Sequence, residues 1–541
     1  MDDEAATQGA GWVQALPLEK LRQSGSLAAR LNGRQVALFL HEGAVLACNN
    51  RCPHEGYPLC EGSLDAGGVL TCQWHNWKFD LHNGANLYGG DALRTYPARV
   101  VEGQVWVDMS EPAPHVLAAR AQTQLDDAML ENDAPRIARE LARLERAGAS
   151  PQAAVLHALQ RSHEQLRYGM THAYAAADAW LRLRELLADK AQRLACATEA
   201  LAHIAFDTLR EPRFPYAVHQ HPWQAAAFLA ALEAQDEEGA MARLNGAFGQ
   251  GLGFAALEPT LAEAALAHYS DFGHSLIYLG HIRSLVANLG PEASPPLLHS
   301  WVRSLIHATR EDLLPDFKAY GPALAQWPRN QGAARLQDAP SPANFESLPI
   351  RQTLSAAVEA AATHTPQALW NALMRAGAHH LLRFDEHHAL RTDNPATEQV
   401  GWLDFSHALT FGHAVRITCE RWPALWPQGL LQMALFVGRN TPYLESGTTT
   451  ESALAAWLVE DPKSFDAQAP SQIIDHGLGL PIFAVHRLKT WLAVRDILAL
   501  GAPPSTADSL RAAVRRLLWA RFKERHALRA ATQALRFVER E

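Results

Sequence analysis

Apolar and polar positions follow two different rules along this chain, and the change falls near residue 115. Before it, Val36-Ala-Leu-Phe-Leu40 and Val100–Val107 have strand composition, the second as two short runs around Glu102-Gly103. Gly43, Gly67-Gly68, Asn83-Gly84 and Gly89-Gly90 read as turns between short strands. After Glu111-Pro-Ala-Pro114 the period lengthens. Apolar residues then recur at helical spacing over 136–146, 153–187, 190–209, 222–234 and 257–288. Pro/Gly breaks are expected at 212–222, 290–296, 321–345 and 423–429. The pattern predicts a multidomain protein, with a small all-β domain over 1–115 and a large all-α domain over 116–541.

The helical region repeats itself weakly. Asp271-Phe-Gly-His-Ser-Leu-Ile-Tyr-Leu-Gly-His-Ile-Arg283 matches Asp404-Phe-Ser-His-Ala-Leu-Thr-Phe-Gly-His-Ala-Val-Arg416, 133 residues on, with a one-residue shift in the middle. Leu297-Leu298 and Leu430-Leu431 each begin 26 residues after the corresponding Asp. Two related halves are expected, at about 150–320 and 350–500. Chance likeness between Ala/Leu-rich helices explains the match about equally well. Pro503-Pro-Ser-Thr-Ala-Asp508 then signals a helix start, and a basic amphipathic helix is predicted over 505–541. The tail from 503 carries nine basic and four acidic side chains, whereas residues 1–115 carry eight basic and thirteen acidic. That complementarity suggests a tail docked on the β domain, its own or a neighbour's, the latter making a homo-oligomer. A solvated helix face is the plainer reading of the same charges.

Composition narrows the class of function. The 541 residues are 48% hydrophobic and 19% charged, with a net charge of −9, which argues against a nucleic-acid or membrane-surface binder. No apolar run approaches the ~18 residues of a membrane span. The acidic N-terminus lacks a signal-peptide h-region, so a cytoplasmic protein is expected. Only 7 lysines stand against 41 arginines, while histidine reaches 26. Four of six cysteines fall between 48 and 72, which reads as a metal site rather than a disulfide scaffold.

Cys52-Pro-His54 and Cys72-Gln-Trp-His75 give the spacing C-x-H-x17-C-x2-H. Two thiolates and two imidazoles can hold a [2Fe–2S] cluster with Cys on one iron and His on the other, which raises the potential to roughly −150 to +300 mV. The same ligand types also suit zinc, although zinc fingers usually pair like with like around a helix. Cys52-Pro-His-Glu-Gly-Tyr-Pro-Leu59 and Cys72-Gln-Trp-His-Asn-Trp-Lys-Phe-Asp80 resemble the cluster loops of Rieske-type ferredoxins and of the Rieske domains of ring-hydroxylating oxygenases. Tyr96-Pro97 and Val105-Trp-Val107 are similar to that family as well, so the resemblance spans about residues 11–110. It implies the Rieske fold, and it implies that Cys52, His54, Cys72 and His75 are the cluster ligands. Gln73 and Asn76 depart from the family, where Pro and Gly are common. The loop-linking disulfide of respiratory Rieske proteins has no counterpart, since Cys60 lies eight residues past the first ligand and Trp occupies 74; the ferredoxin-like, lower-potential class is implied. Cys48 and Cys60 are read as core or incidental thiols.

A cluster that passes single electrons implies a second centre that uses them. Asp404-x2-His407-x5-His413 superficially resembles the mononuclear iron motif of Rieske oxygenases, but that catalytic domain is mixed α/β and this region reads as all-α, so no assignment is carried over. Helix spacing offers another reading. Asp271, His274, Tyr278 and His281 fall on one helical face, and Asp404-x-x-His407 repeats the carboxylate-x-x-His unit. Two such units resemble the ligand pairs of di-iron bundles, with Glu164, Glu311 and Asp312 as candidates for further carboxylates. The candidate second metal site is therefore Asp271, His274, His281, Asp404, His407 and His413, holding one or two non-haem irons, with Tyr278, Glu311 and Asp312 as candidate catalytic groups. Each histidine alone is as readily a paired core residue. His274–His281 and His407–Arg416 also resemble short stretches of questin oxidase-like helical proteins, which implies oxidation of an aromatic compound. His219 and His221, Asp385–His388, and His163, His172 and His307 are weaker groupings, His172 as a neighbouring or substrate-binding group.

There is no G-x-G-x-x-G fingerprint for a nicotinamide or flavin, so electrons are expected from a separate reductase or ferredoxin. The leading expectation is an iron-dependent oxygenase acting on a small organic substrate. The runner-up is a non-enzymatic electron carrier joined to a helical interaction scaffold.

Overall fold

The computed structural model describes residues 11–328, 335–393 and 399–539, as two compact units, Met1–Pro151 and Gln152–Glu541. An N-terminal β domain precedes a large helical region, the fold class the sequence predicts. Among the described residues no helix is long and apolar enough to cross a membrane.

The first unit holds eleven described strands: β1 (Trp12–Pro17), β2 (Ser26–Leu31), β3 (Arg34–His41), β4 (Ala44–Asn49), β5 (Ser63–Leu64), β6 (Val69–Thr71), β7 (Lys78–Asp80), β8 (Asn86–Tyr88), β9 (Thr95–Tyr96), β10 (Ala98–Val101) and β11 (Gln104–Asp108). They form three antiparallel sheets, ordered β1-β11-β10, β2-β3-β4-β9 and β5-β6-β7-β8. The hairpins β2-β3, β3-β4 and β10-β11 turn on Asn32-Gly33, Glu42-Gly43 and Glu102-Gly103, with both residues of each pair at positive φ. That is the two-residue turn whose twist matches the flanking strands. β3 reads as an unbroken apolar run because both of its faces are covered. Val36 and Leu38 join a core with Val105 and Val107, while Ala37 and Phe39 join a second core with Cys48, Cys52, Cys72 and Phe79. The loops after β4 and β6 rest on this second core.

The first unit continues past residue 115 to include helices Pro114–Leu130 and Ala134–Arg146. Arg139 and Arg143 of the second helix donate to the fully buried Asp91 carboxylate. Burial alone would raise that carboxyl; the two guanidiniums outweigh it and hold it below its ordinary range.

In the second unit, two predicted helical runs are interrupted. The run 153–187 becomes Pro151–Ser162 and His172–Glu185. Gly169 lies between them at φ +89°, so close to the backbone of Ser300 and Ser304 that no Cβ fits, and Thr171 caps the second helix through the Ala173 N–H. The run 257–288 becomes Phe254–Leu266 and His274–Leu289, parted by a turn in which Asp271, Phe272 and Gly273 all have positive φ. Four helices enclose the centre of this unit: His172–Glu185, His274–Leu289, Trp402–Arg421 and Pro481–Ala499. Each packs against two of the others, closing a ring. The predicted C-terminal helix is two, Pro504–Trp519 and Ala527–Val538; Arg540 and Glu541 lie outside the described residues. Arg516 donates to Leu381 O and Phe384 O, and Arg529 to Ala389 O, so these basic side chains cap backbone carbonyls of their own unit.

Candidate metal centres

The loops after β4 and β6 are built alike. Cys52 N–H donates to Tyr57 O and Gly56 N–H to Cys52 O; Cys72 N–H donates to Trp77 O and Asn76 N–H to Cys72 O. Each loop needs a left-handed residue four positions past its Cys, and Gly56 (φ +79°) and Asn76 (φ +60°) supply it. Asn is the non-glycine residue that best tolerates this region, which explains the departure at Asn76. Asn76→Val should lower thermal stability of the loop by about 1–2 kcal/mol, and Asn76→Gly should leave it unchanged or raise it. Loss of the visible cluster spectrum on heating would read the difference.

Both cysteines are buried beneath the loops, while the histidines reach the surface with their Nδ1 atoms 3.1 Å apart. The His54 ring stacks on Trp77 at 4.7 Å and 10° between planes. Two imidazole nitrogens at that separation can share one iron, and two buried thiols on the opposite side can serve the other. The donor set therefore fits an asymmetric [2Fe–2S] cluster. All six cysteines are free thiols, and burial pushes Cys48 far up, in keeping with a core role.

The family model for the Rieske [2Fe-2S] domain matches residues 11–97. Over these residues the chain belongs to the Rieske family. It is similar to the ferredoxin component of the alkene monooxygenase system of Xanthobacter autotrophicus, 36% identical over 15% of this chain and 66% of that protein. The ferredoxin component of the naphthalene 1,2-dioxygenase system of Pseudomonas putida is 28% identical over 18% of this chain and 96% of its own length. Oxidoreductase NdmD of Pseudomonas putida is 29% identical over 22% of this chain, which spans 21% of NdmD. Cys52, His54, Cys72 and His75 are the candidate holders of the cluster, and the likeness is to ferredoxin components of a monooxygenase and a dioxygenase system.

A second group of candidate ligands lies inside the helical ring. His172, His274, His407 and His486 come one from each helix. His274 Nε2 is 3.0 Å from His172 Nε2 and 2.9 Å from His407 Nε2, which is 3.5 Å from His486 Nε2. Nδ1 of His274 meets Asp271 O at 2.5 Å, that of His407 meets Leu403 O at 2.6 Å, and that of His486 meets Ile482 O at 2.7 Å. A carbonyl can only accept, so each Nδ1 carries the hydrogen and each Nε2 presents a lone pair inward. Lone pairs facing each other at such distances repel unless a cation lies between them. Two nitrogens each about 2.1 Å from one ion, about 90–110° apart, stand about 3.0–3.4 Å from each other. The observed spacings match that closely. Carbonyls behind metal-binding imidazoles are a usual way of fixing their tautomer.

Burial holds all four imidazoles below their ordinary range, helped by Lys489 one turn after His486 and, for His172, His407 and His486, by repulsion from neighbouring histidines. Lys489 is itself buried, which lowers its ammonium to about 7, and Nζ has no hydrogen-bond partner among the described residues. Phe272, in its left-handed turn, sets its ring edge-on to His407 at 5.1 Å. Glu311 accepts the Phe272 N–H and so holds this turn; burial raises its carboxyl to about 7.

Of the six residues predicted for this site, the structure gathers His274 and His407 only. The Asp271 carboxylate is 3.6 Å from His274 Nδ1, on the side away from the convergence. Asp404 accepts the Gly401 N–H at the start of its helix and pairs with Arg439. His281 pairs with Asp178 and His413 faces Asp496, both further along their helices. Among the candidate catalytic groups, Tyr278 OH is 3.4 Å from His172 Nδ1, and Asp312 pairs with Arg310 and His268. Glu164 pairs with Arg213. His172, read from sequence as a neighbouring group, sits in the cluster, and His486 was missed. The available signal for His486 was His486-x-x-Lys489, one turn of an apolar helix in a chain with seven lysines.

Proposed function

We propose that the protein is an iron-dependent oxidoreductase of the oxygenase type, in which electrons entering at the Rieske domain reach an iron held by His172, His274, His407 and His486. The convergence of three Nε2 atoms, each turned inward by its own carbonyl, carries this reading. A [2Fe–2S] cluster supplies single electrons, and a histidine-held iron supplies oxygen chemistry. The chain's own part is to fix tautomers through Asp271 O, Leu403 O and Ile482 O, to shield the site with Phe272, and to keep the four imidazoles neutral. Imidazole alone also suits zinc, copper and nickel. The adjoining Rieske domain, and relatives that serve a monooxygenase and a dioxygenase system, favour iron and oxygen. The electron donor is then a separate reductase or ferredoxin and the substrate a small organic molecule.

Oxygen uptake tests the reading. With a ferredoxin reductase and reductant present, iron-loaded protein should consume oxygen, and His407→Ala should lower the rate at least about tenfold while its cluster is reduced as fast as before. Equal oxygen uptake by the two proteins would refute the proposal.

A further inference from the structure

The helices that carry the four histidines also wall a cavity of about 590 Å³ in the same unit. This is a volume suited to an organic ligand of several rings or a comparable chain. Ile277, Ile417 and Leu492 give it apolar walls, and Lys489 lines it while lying against the histidine cluster. On this wall His281 Nδ1 donates to Asp178 Oδ2 at 2.7 Å. Asp178 is fully buried and its Oδ1 has no hydrogen-bond partner among the described residues. The carboxylate fixes the tautomer, so His281 Nε2 carries a lone pair, and no described residue bonds to it. Burial holds this imidazole below its ordinary range despite the carboxylate, so it stands as the free base. Asp496, the other carboxylate on the wall, is already matched by Arg182 at 2.7 Å and His413 at 3.4 Å. His281–Asp178 is thus a base with an orienting carboxylate, the pairing used for proton removal from hydroxyl groups.

We propose that the cavity binds a largely apolar substrate bearing a weakly acidic hydroxyl, and that His281, oriented by Asp178, takes the hydroxyl proton. The O–H bond breaks, an N–H bond forms at Nε2, and the electron pair stays on oxygen. The imidazolium formed is balanced by Asp178, and the substrate anion is a better electron donor than the neutral hydroxyl. The inference rests on the proposed oxygenase reading for its place in the reaction, but its test needs neither oxygen nor an electron donor.

A nitronaphthol serves as probe, because its neutral and ionised forms differ in visible spectrum. Bound to the full-length protein it should ionise at a pH at least one unit below its free value, a shift of about tenfold or more in its ionisation constant. His281→Gln should bind the probe without this shift. Asp178→Asn should do the same, because an amide donating to Nδ1 would leave the hydrogen on Nε2. Lys489→Met and His407→Ala separate the other sources of ionisation. A shift that survives in both supports the dyad, even if His407→Ala shows that the iron reading is wrong. A shift kept by His281→Gln, lost only with Lys489 or His407, or absent from the wild type for want of binding would overturn the proposal. His281 lines the cavity, so its variant should keep the wild-type circular dichroism, whatever the buried Asp178→Asn does.

Discussion

Protein purified without oxygen is expected to hold about three irons for every two labile sulfides, one iron more than its Rieske cluster accounts for. The sequence allowed one or two extra irons, and the proposed reading is one. Bridged di-iron sites in bundles are built with several carboxylates. Here Asp271 lies behind its histidine, Asp404 caps a helix, Glu311 holds the Phe272 turn and Glu164 pairs with Arg213. Among the described residues, what converges is imidazole alone. His274→Ala should reduce the count to about two irons per two sulfides and leave the cluster spectrum intact, since His274 Nε2 has neighbours at 2.9 and 3.0 Å on either side. His486, at 3.5 Å from its nearest partner, stands further out, so His486→Ala should weaken retention less than His274→Ala. Reconstitution with ferrous iron under reducing conditions precedes the count, because a labile iron can be lost in purification. Two irons per two sulfides after reconstitution, with no other metal bound, would bring back the electron carrier on a helical scaffold.

The Rieske domain was legible in the sequence because its candidate ligands come from two short loops, where chain spacing is spatial spacing. Cys52 and His54, or Cys72 and His75, can reach one cluster only from a tight loop, and Gly56 and Asn76 mark the residue that closes each loop. The helical centre differs in kind. Its histidines come one per helix from positions 172 to 486, so no spacing within any one helix reveals the set. The repeat pointed to His274 and His407, whose Nε2 atoms do meet at 2.9 Å. It misled about the aspartates because the two copies enter their helices differently. Asp271 precedes the His274 helix in a left-handed turn, whereas Asp404 lies within the first turn of its own helix. Face-sharing at i, i+3 and i+7 also grouped His281 with His274, yet one or two turns along a helix is enough to leave the histidine cluster and enter the adjoining cavity.

His54→Cys should retain a cluster whose potential falls part of the way towards the roughly −400 mV of an all-cysteine cluster, whereas Cys52→Ser and Cys72→Ser should largely lose it. Exchanging a neutral imidazole for a thiolate adds negative charge to the cluster and so disfavours its reduction. His54 is the apt position because its ring lies at the surface, stacked on Trp77, and a shorter side chain there leaves the core under the loops untouched. The cysteines have no such freedom. Cys52 and Cys72 are buried at 4% and 1% exposure among Leu59, Leu70 and Phe79, where a serine hydroxyl is both a poor iron ligand and a buried polar group without a partner. Electron paramagnetic resonance of the reduced protein distinguishes these outcomes, with the averaged g value moving towards that of an all-cysteine cluster in His54→Cys and no signal in the serine variants. Stoichiometric zinc without labile sulfide in the wild type would instead mark the loops as a zinc site and remove the electron entry point on which the proposed function depends.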